Sequence, residues 1–168
     1  KTTKEMIDAI VDAGFNVIRI PITWDKHFGK APDYKIDEAW LNRVQEVVDY
    51  AYARDVYVII NCHHEDWHFP FEKNKEQASE ILQALWTQIA ECFRDYDEKL
   101  IFEGLNEPRK KGTAMEWNGG DYEGKQVVNH FAKVFVETVR ATGGNNTIRN
   151  LMVTGYAASS NKETLRSI

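Results

Sequence analysis

Apolar positions along the chain alternate between a helical and a strand-like period. Met6, Ile7, Ile10 and Val11 fall three and four residues apart, behind a Thr-x-x-Glu capping pattern at Thr2 and Glu5 and ahead of Gly14, so the chain opens on a helix. Val17, Ile18, Ile20 and Ile22 then form a β-branched run that predicts a strand. Asp37 is placed to cap a helix striped by Trp40, Leu41, Val44, Val47, Val48 and Ala51, and residues 57 to 60 predict a second strand. The cycle repeats with a helix bearing Ile81, Leu82, Leu85, Trp86, Ile89 and Phe93, and a strand over 100–102. Next come a helix bearing Val127, Val128, Phe131, Val134, Phe135 and Val139, stopped by Gly143 and Gly144, and a strand over 151–154. Asn161 can cap one last turn of helix.

Strands that are nearly continuous apolar runs, each followed by an amphipathic helix, predict an α/β fold with a parallel sheet buried on both faces. Two architectures satisfy that alternation, an open doubly wound sheet and a (β/α)8 TIM barrel. No Gly-x-Gly-x-x-Gly follows the first strand, which removes the main support for a dinucleotide-binding open sheet. Arg19, His63 and Glu107 recur 44 residues apart at or just beyond successive strands. Groups converging from the carboxyl ends of successive strands are what a barrel active site is built from. A whole barrel takes about 250 residues, so residues 1–168 are expected to form one partial domain, helix 1 to strand 5, or roughly the first half to two thirds of a barrel.

The composition adds exclusions. Twenty-one Lys and Arg against 26 Asp and Glu give a net charge of −5 with no long block of either sign, which speaks against nucleic acid and anionic membrane as partners. The apolar runs fall far short of the roughly 20 residues that span a bilayer, and no signal-peptide pattern is expected in this chain. Cys62 and Cys92 are expected to be free thiols, too few for a disulfide framework.

Asn106-Glu107-Pro108, directly after the third strand, carries the most chemistry. A carboxylate there faces a barrel mouth, and glycoside hydrolysis needs one carboxylic acid to protonate the leaving oxygen and a second carboxylate to attack or to activate water. Asn106 would donate to a sugar 2-hydroxyl; the plainer reading of Glu107 is a helix-start glutamate before proline. Arg19 interrupts an apolar strand and requires an acidic group opposite, either a nucleophilic carboxylate that it orients or a structural ion pair. His63 and His64 end the second strand, where each could bind a sugar hydroxyl or sit as a core imidazole. Trp24, Trp67 and Trp117 fall in loops after strands and offer faces to sugar rings or simple loop packing, whereas Trp40 and Trp86 lie on core stripes. His64-Glu65-Asp66-Trp67-His68 also spells the zinc-protease motif His-Glu-x-x-His, but that chemistry needs a helix, and here the pentapeptide follows a strand and runs into Phe69-Pro70. No metal is expected.

Val-Ile-Arg19-Ile-Pro-Ile-Thr-Trp, His63-His64 after Val-Ile-Ile-Asn, and Asn106-Glu107-Pro108 after Ile-Phe-Glu-Gly-Leu together resemble glycoside hydrolase family 5, especially its endoglucanases, over nearly the whole chain. The resemblance implies a retaining, double-displacement endo-β-1,4-glucanase acting on cellulose-type glucan. It implies Glu107 as acid/base, Asn106, Arg19 and His63 as catalytic neighbours, and His64 as a sugar contact. Mannan, xylan or xyloglucan are alternative substrates, and a non-catalytic carbohydrate-binding barrel fragment is an alternative role. The family nucleophile follows the seventh strand and would lie outside this chain, leaving Arg19 without its carboxylate. Glu65 and Glu103 are the nearest substitutes, and neither matches the family pattern. No cofactor is implied. Polymeric β-glucan or oligosaccharide is the expected partner, the location is expected to be extracellular, and the isolated fragment is expected to be inactive and to need a complementary barrel half or to self-associate.

Overall fold

The structure, a computed structural model, describes residues Lys1–Ile168. Helices α1 (Lys4–Asp12), α2 (Glu38–Tyr52), α3 (Lys75–Cys92), α4 (Tyr122–Ala141) and α5 (Lys162–Leu165) alternate with strands β1 (Val17–Ile20), β2 (Tyr57–Asn61), β3 (Leu100–Glu103) and β4 (Leu151–Met152). The strands pair in parallel and in chain order, the topology that strand-helix repetition produces. Asp37 caps α2 by accepting from the Ala39 amide at 2.9 Å, and Asn161 caps α5 by accepting from Glu163 at 2.8 Å. The cap of α1 is Thr3, not Thr2: its hydroxyl accepts from the Met6 amide. β4 is two residues long where the sequence predicts four, because it pairs only with Phe102 and Glu103 at the sheet edge.

Ile18, Val58, Ile60, Leu100 and Phe102 point from the sheet into the helix layer and are buried. The other face departs from the expectation of burial on both sides: Val17, Tyr57 and Met152 are 46%, 41% and 42% exposed. An apolar run looks the same in sequence whether its second face is covered or open, so the pattern could not distinguish the two. The register also corrects the 44-residue spacing. Arg19 lies opposite Ile59, and Ile59 opposite Ile101. Arg19 is therefore inside its strand, His63 beyond the end of β2 and Glu107 further still beyond β3, three levels and not three equivalent places.

Trp86 anchors the core between α3, β3 and α4, against Phe102 and Phe135, with its indole N–H donating to the Gly104 carbonyl. Trp40 is only half-buried and stacks on His27 at 3.9 Å. Arg149, which no pattern marks, is fully buried and donates five hydrogen bonds of 2.7–3.0 Å to the carbonyls of Phe93, Tyr96, Asp97 and Leu100 and the side chain of Asn146. It thus closes the carboxyl end of α3 onto β3. Tyr156 packs its ring where side chains at Gly120 and Gly124 would stand, 2.6 and 2.7 Å from their would-be Cβ atoms. Its hydroxyl accepts from the Lys110 amide and donates to the Met115 carbonyl. Cys62 and Cys92 are free.

Candidate active site

Backbone hydrogen bonds continue the ladder past the strands and fix the loops that follow them. The His63 amide donates to Ile22 O at 2.8 Å and the Asn106 amide to Cys62 O at 2.9 Å. A cleft of about 380 Å³ opens above this end of the sheet, walled by His63, His64, Asn106, Glu107, Arg109 and Lys111, with Phe69 as its one apolar side chain.

At the floor, Arg19 has the acidic partner that its position demanded, and the partner is Glu103. Nε and Nη2 donate to the two Glu103 oxygens at 2.6 and 2.7 Å, and Nη2 also donates to Asn106 Oδ1 at 2.8 Å. The hydrogen bonds that it donates to Glu103 push the Arg19 pKa above its ordinary value. The expectation that this chain leaves Arg19 without a carboxylate is thereby overturned. Glu103 shares the phase of Ile101 on the inner face of β3, which places it on the same side as Arg19. Asn61, buried at the end of β2, accepts from the Ile22 amide through Oδ1, so its Nδ2 is the donor toward His63 Nδ1 at 3.1 Å. The His63 proton then sits on Nε2. Burial, followed by the neighbouring His64 and Arg19, lowers the His63 pKa and keeps the ring neutral.

Glu65 is buried and its carboxylate is fully engaged: it accepts from the Trp24 amide at 2.7 Å, the Asp25 amide at 2.9 Å and Trp67 Nε1 at 2.7 Å. It clasps the loop after β1 to the loop after β2. Burial raises its pKa to about 7 against the pull of those three donors. Neither Glu65 nor Glu103 therefore offers a free nucleophilic carboxylate.

The tryptophans depart most from the sequence reading. Trp24 is fully buried, with Nε1 donating to Asn61 O at 3.0 Å, so its face meets the core and no sugar. Trp67 packs partly buried against the core with its N–H spent on Glu65. Trp117 is 63% exposed, just outside the cleft, under the Arg109 guanidinium. A loop position after a strand does not reveal whether an aromatic turns inward, and that ambiguity misplaced Trp24. The His64–His68 pentapeptide is irregular, without the helix a zinc protease requires. His68 is buried with neither ring nitrogen hydrogen-bonded, and burial lowers its pKa to about 4.

Glu107 stands apart from the other two acids. Its side chain is 39% exposed in the cleft, and Arg109 is the one side chain that hydrogen-bonds to its carboxylate, at 3.5 Å. Sequence reasoning missed Asn61 and Arg109, and weighed Glu103 only as a substitute nucleophile and not as the partner of Arg19. Glu103 was recoverable from strand phase; the other two carry no signal beyond lying beside the motif residues.

A parallel sheet wound strand by helix, with polar groups gathered in a cleft at the carboxyl ends of its strands, defines part of a (β/α)8 barrel seen from its active face. The chain belongs to glycoside hydrolase family 5: residues 1–167 match the family's cellulase domain. It is 58% identical over 161 residues to endoglucanase B of Neocallimastix patriciarum and 57% identical over 167 residues to endoglucanase A of Ruminococcus albus. These alignments cover 96% and 99% of this chain but 34% and 46% of those proteins, so the chain spans less than half of either relative. Among solved structures it superposes on a GH5-4 broad specificity endoglucanase from Ruminococcus champanellensis with bound cellotriose, with TM-score 0.97 and 54% identity. The superposition covers 99% of this chain and 49% of that one. A xyloglucan-specific endo-β-1,4-glucanase from a metagenomic library, in complex with cellotriose, matches with TM-score 0.98 and 48% identity over 100% of this chain and 50% of its own. The fold is thus about half of a (β/α)8 barrel, carrying a partial catalytic domain.

Proposed function

We propose that the protein containing residues 1–168 is an endo-acting, retaining β-1,4-glucanase in which Glu107 is the acid/base, and that the nucleophile comes from outside this segment. The observation that carries the reading is the difference among the carboxylates: Glu103 and Glu65 are consumed as acceptors, while Glu107 stands open in the cleft. The names of the relatives, endoglucanases, and the cellotriose bound to two of the similar structures support a glucan substrate.

The neighbouring groups suit that role. With its Oδ1 held by Arg19, Asn106 presents its amide N–H₂ as a donor, suited to a sugar 2-hydroxyl whose hydrogen bond strengthens in the transition state. His63, neutral and protonated at Nε2, is a further donor toward a sugar hydroxyl, with His64 beside it on the cleft wall. Glu107 first protonates the departing glycosidic oxygen, then takes a proton from the water that releases the covalent intermediate. Polymeric glucan lies outside the cell, so an extracellular location accompanies this reading.

The test is Glu107→Gln in the full-length enzyme. Hydrolysis of carboxymethylcellulose should fall by roughly 10²- to 10⁴-fold, the usual contribution of a placed proton donor, while a dinitrophenyl cellobioside should still form the covalent intermediate. Wild-type turnover of polymer by the variant, or inversion at the anomeric carbon in the parent, would refute the assignment.

A further inference from the structure

Arg109 lines the cleft two residues beyond Glu107, and its guanidinium is held on several sides. Nε donates to Glu116 Oε1 at 3.1 Å, Nη1 donates to the Glu107 backbone carbonyl at 3.0 Å and reaches Glu107 Oε2 at 3.5 Å, and the planar group lies 4.1 Å over the Trp117 ring. Glu116 is itself fixed, its other oxygen accepting from the Gly112 amide at 2.8 Å; that bond first, and Arg109 after it, holds its carboxyl below the usual range. A carboxylate at one edge and an indole face beneath fix the plane of the group, and Nη1 then points at the backbone and carboxylate of Glu107. Lysine could not reproduce this, having neither a planar face nor a fixed fork of donors.

We propose that Arg109 is a positioning residue for the Glu107 carboxylate, locked in place by Glu116 and Trp117. The inference rests on Glu107 being the acid/base. A proton donor works only within hydrogen-bond reach of the leaving oxygen, and a displacement of about 1 Å at a reacting group can cost about 10²-fold. Loss of Arg109 should therefore weaken acid assistance specifically, and a substrate that does not need the acid reveals that specificity.

The experiment compares kcat/KM on carboxymethylcellulose with kcat/KM on 2,4-dinitrophenyl β-cellobioside for the full-length enzyme and its Glu107→Gln, Arg109→Met, Arg109→Lys and Trp117→Ala variants. Arg109→Met should lose up to about 10²-fold more on the polymer than on the activated glycoside, mostly in kcat. Arg109→Lys should fall between, and Trp117→Ala, at an exposed position that folding tolerates, should shift the same ratio less. Equal losses on both substrates, or a loss confined to KM, would show Arg109 to be structural or a sugar contact and overturn the proposal. If Glu107→Gln discriminates between the substrates and Arg109→Met does not, this inference alone fails. If Glu107→Gln does not discriminate, the acid/base reading fails first.

Discussion

Arg149 shows what one buried cation can do without an acidic partner. It is surrounded by carbonyl oxygens at the end of α3, and its guanidinium lies 4.7 Å over Phe102. Burial lowers its pKa from the ordinary arginine value, yet that value starts so high that the group stays charged. Removing it would take a donor from four carbonyls, although those of Phe93, Tyr96 and Asp97 each keep one other, from the Tyr96 amide, Asn145 Nδ2 and the Leu100 amide. Arg149→Lys supplies three donors where five are used and should destabilise the fold by about 3 kcal/mol. Urea denaturation reads that loss, and a midpoint unchanged from the parent would show the carbonyls to be satisfied otherwise. Nothing in Ile148-Arg149-Asn150 announces this role, because four of the five partners are backbone atoms some fifty residues away. Arg19 was legible for the opposite reason: a charge inside an apolar strand demands a side-chain partner, and strand phase narrows the search to Glu103.

Helices and strands were legible wherever one periodicity ran long enough, as in α3 with Ile81, Leu82, Leu85, Trp86 and Ile89 all buried. The connections were less so. Trp24 sits in the loop after β1, its indole N–H bound to the Asn61 carbonyl and its amide to Glu65, a residue in the next loop that sequence reasoning read only as an unsuited nucleophile or part of a zinc motif. That second loop also couples pH to stability. His68, held near 4 against an ordinary 6.5, binds its proton more readily unfolded, so its contribution is complete above about pH 6.5 and is lost as pH falls toward 4. Glu65, raised to about 7 from 4.5, binds its proton more readily folded, so its contribution is complete below about pH 4.5 and is lost as pH rises through 7. Each shift corresponds to about 3 kcal/mol, of opposite sign over nearly the same interval. The pair should cancel. His68→Leu should make stability rise on acidification from pH 7 to 4.5 relative to the parent, and Glu65→Gln should make it fall. Denaturant midpoints at the two pH values decide the matter, and parallel profiles for all three proteins would rule the coupling out.

For the whole molecule, the sheet carries two edge strands, β1 and β4, and an inner face on which Val17, Tyr57 and Met152 meet solvent. Unpaired edges and apolar faces invite pairing with another chain. A polypeptide of residues 1–168 should therefore associate with itself or with a complementary half-barrel, and should not hydrolyse a soluble β-glucan. Light scattering and a reducing-sugar assay test both expectations, and a monomer that cleaves glucan with retention would contradict them. The Arg19–Glu103 pair lies within this chain, so the driving force for association is the open apolar surface and not a stranded charge. Half a barrel was legible from the count of strand-helix units; the openness of its inner face was not, since the strand residues are apolar in either case.

The seating of Tyr156 against Gly120 and Gly124 bears on how such sequences diverge. The ring occupies the volume that any side chain at either glycine would need, and its hydroxyl ties Lys110 to Met115. A lineage that acquires even an alanine at position 124 must first surrender the aromatic at 156, and with it the tether on the segment that carries Arg109, Glu116 and Trp117. The three positions are free to change only together, so drift at a packing contact remote from the cleft would reach the Glu107 carboxylate through the loop that it anchors.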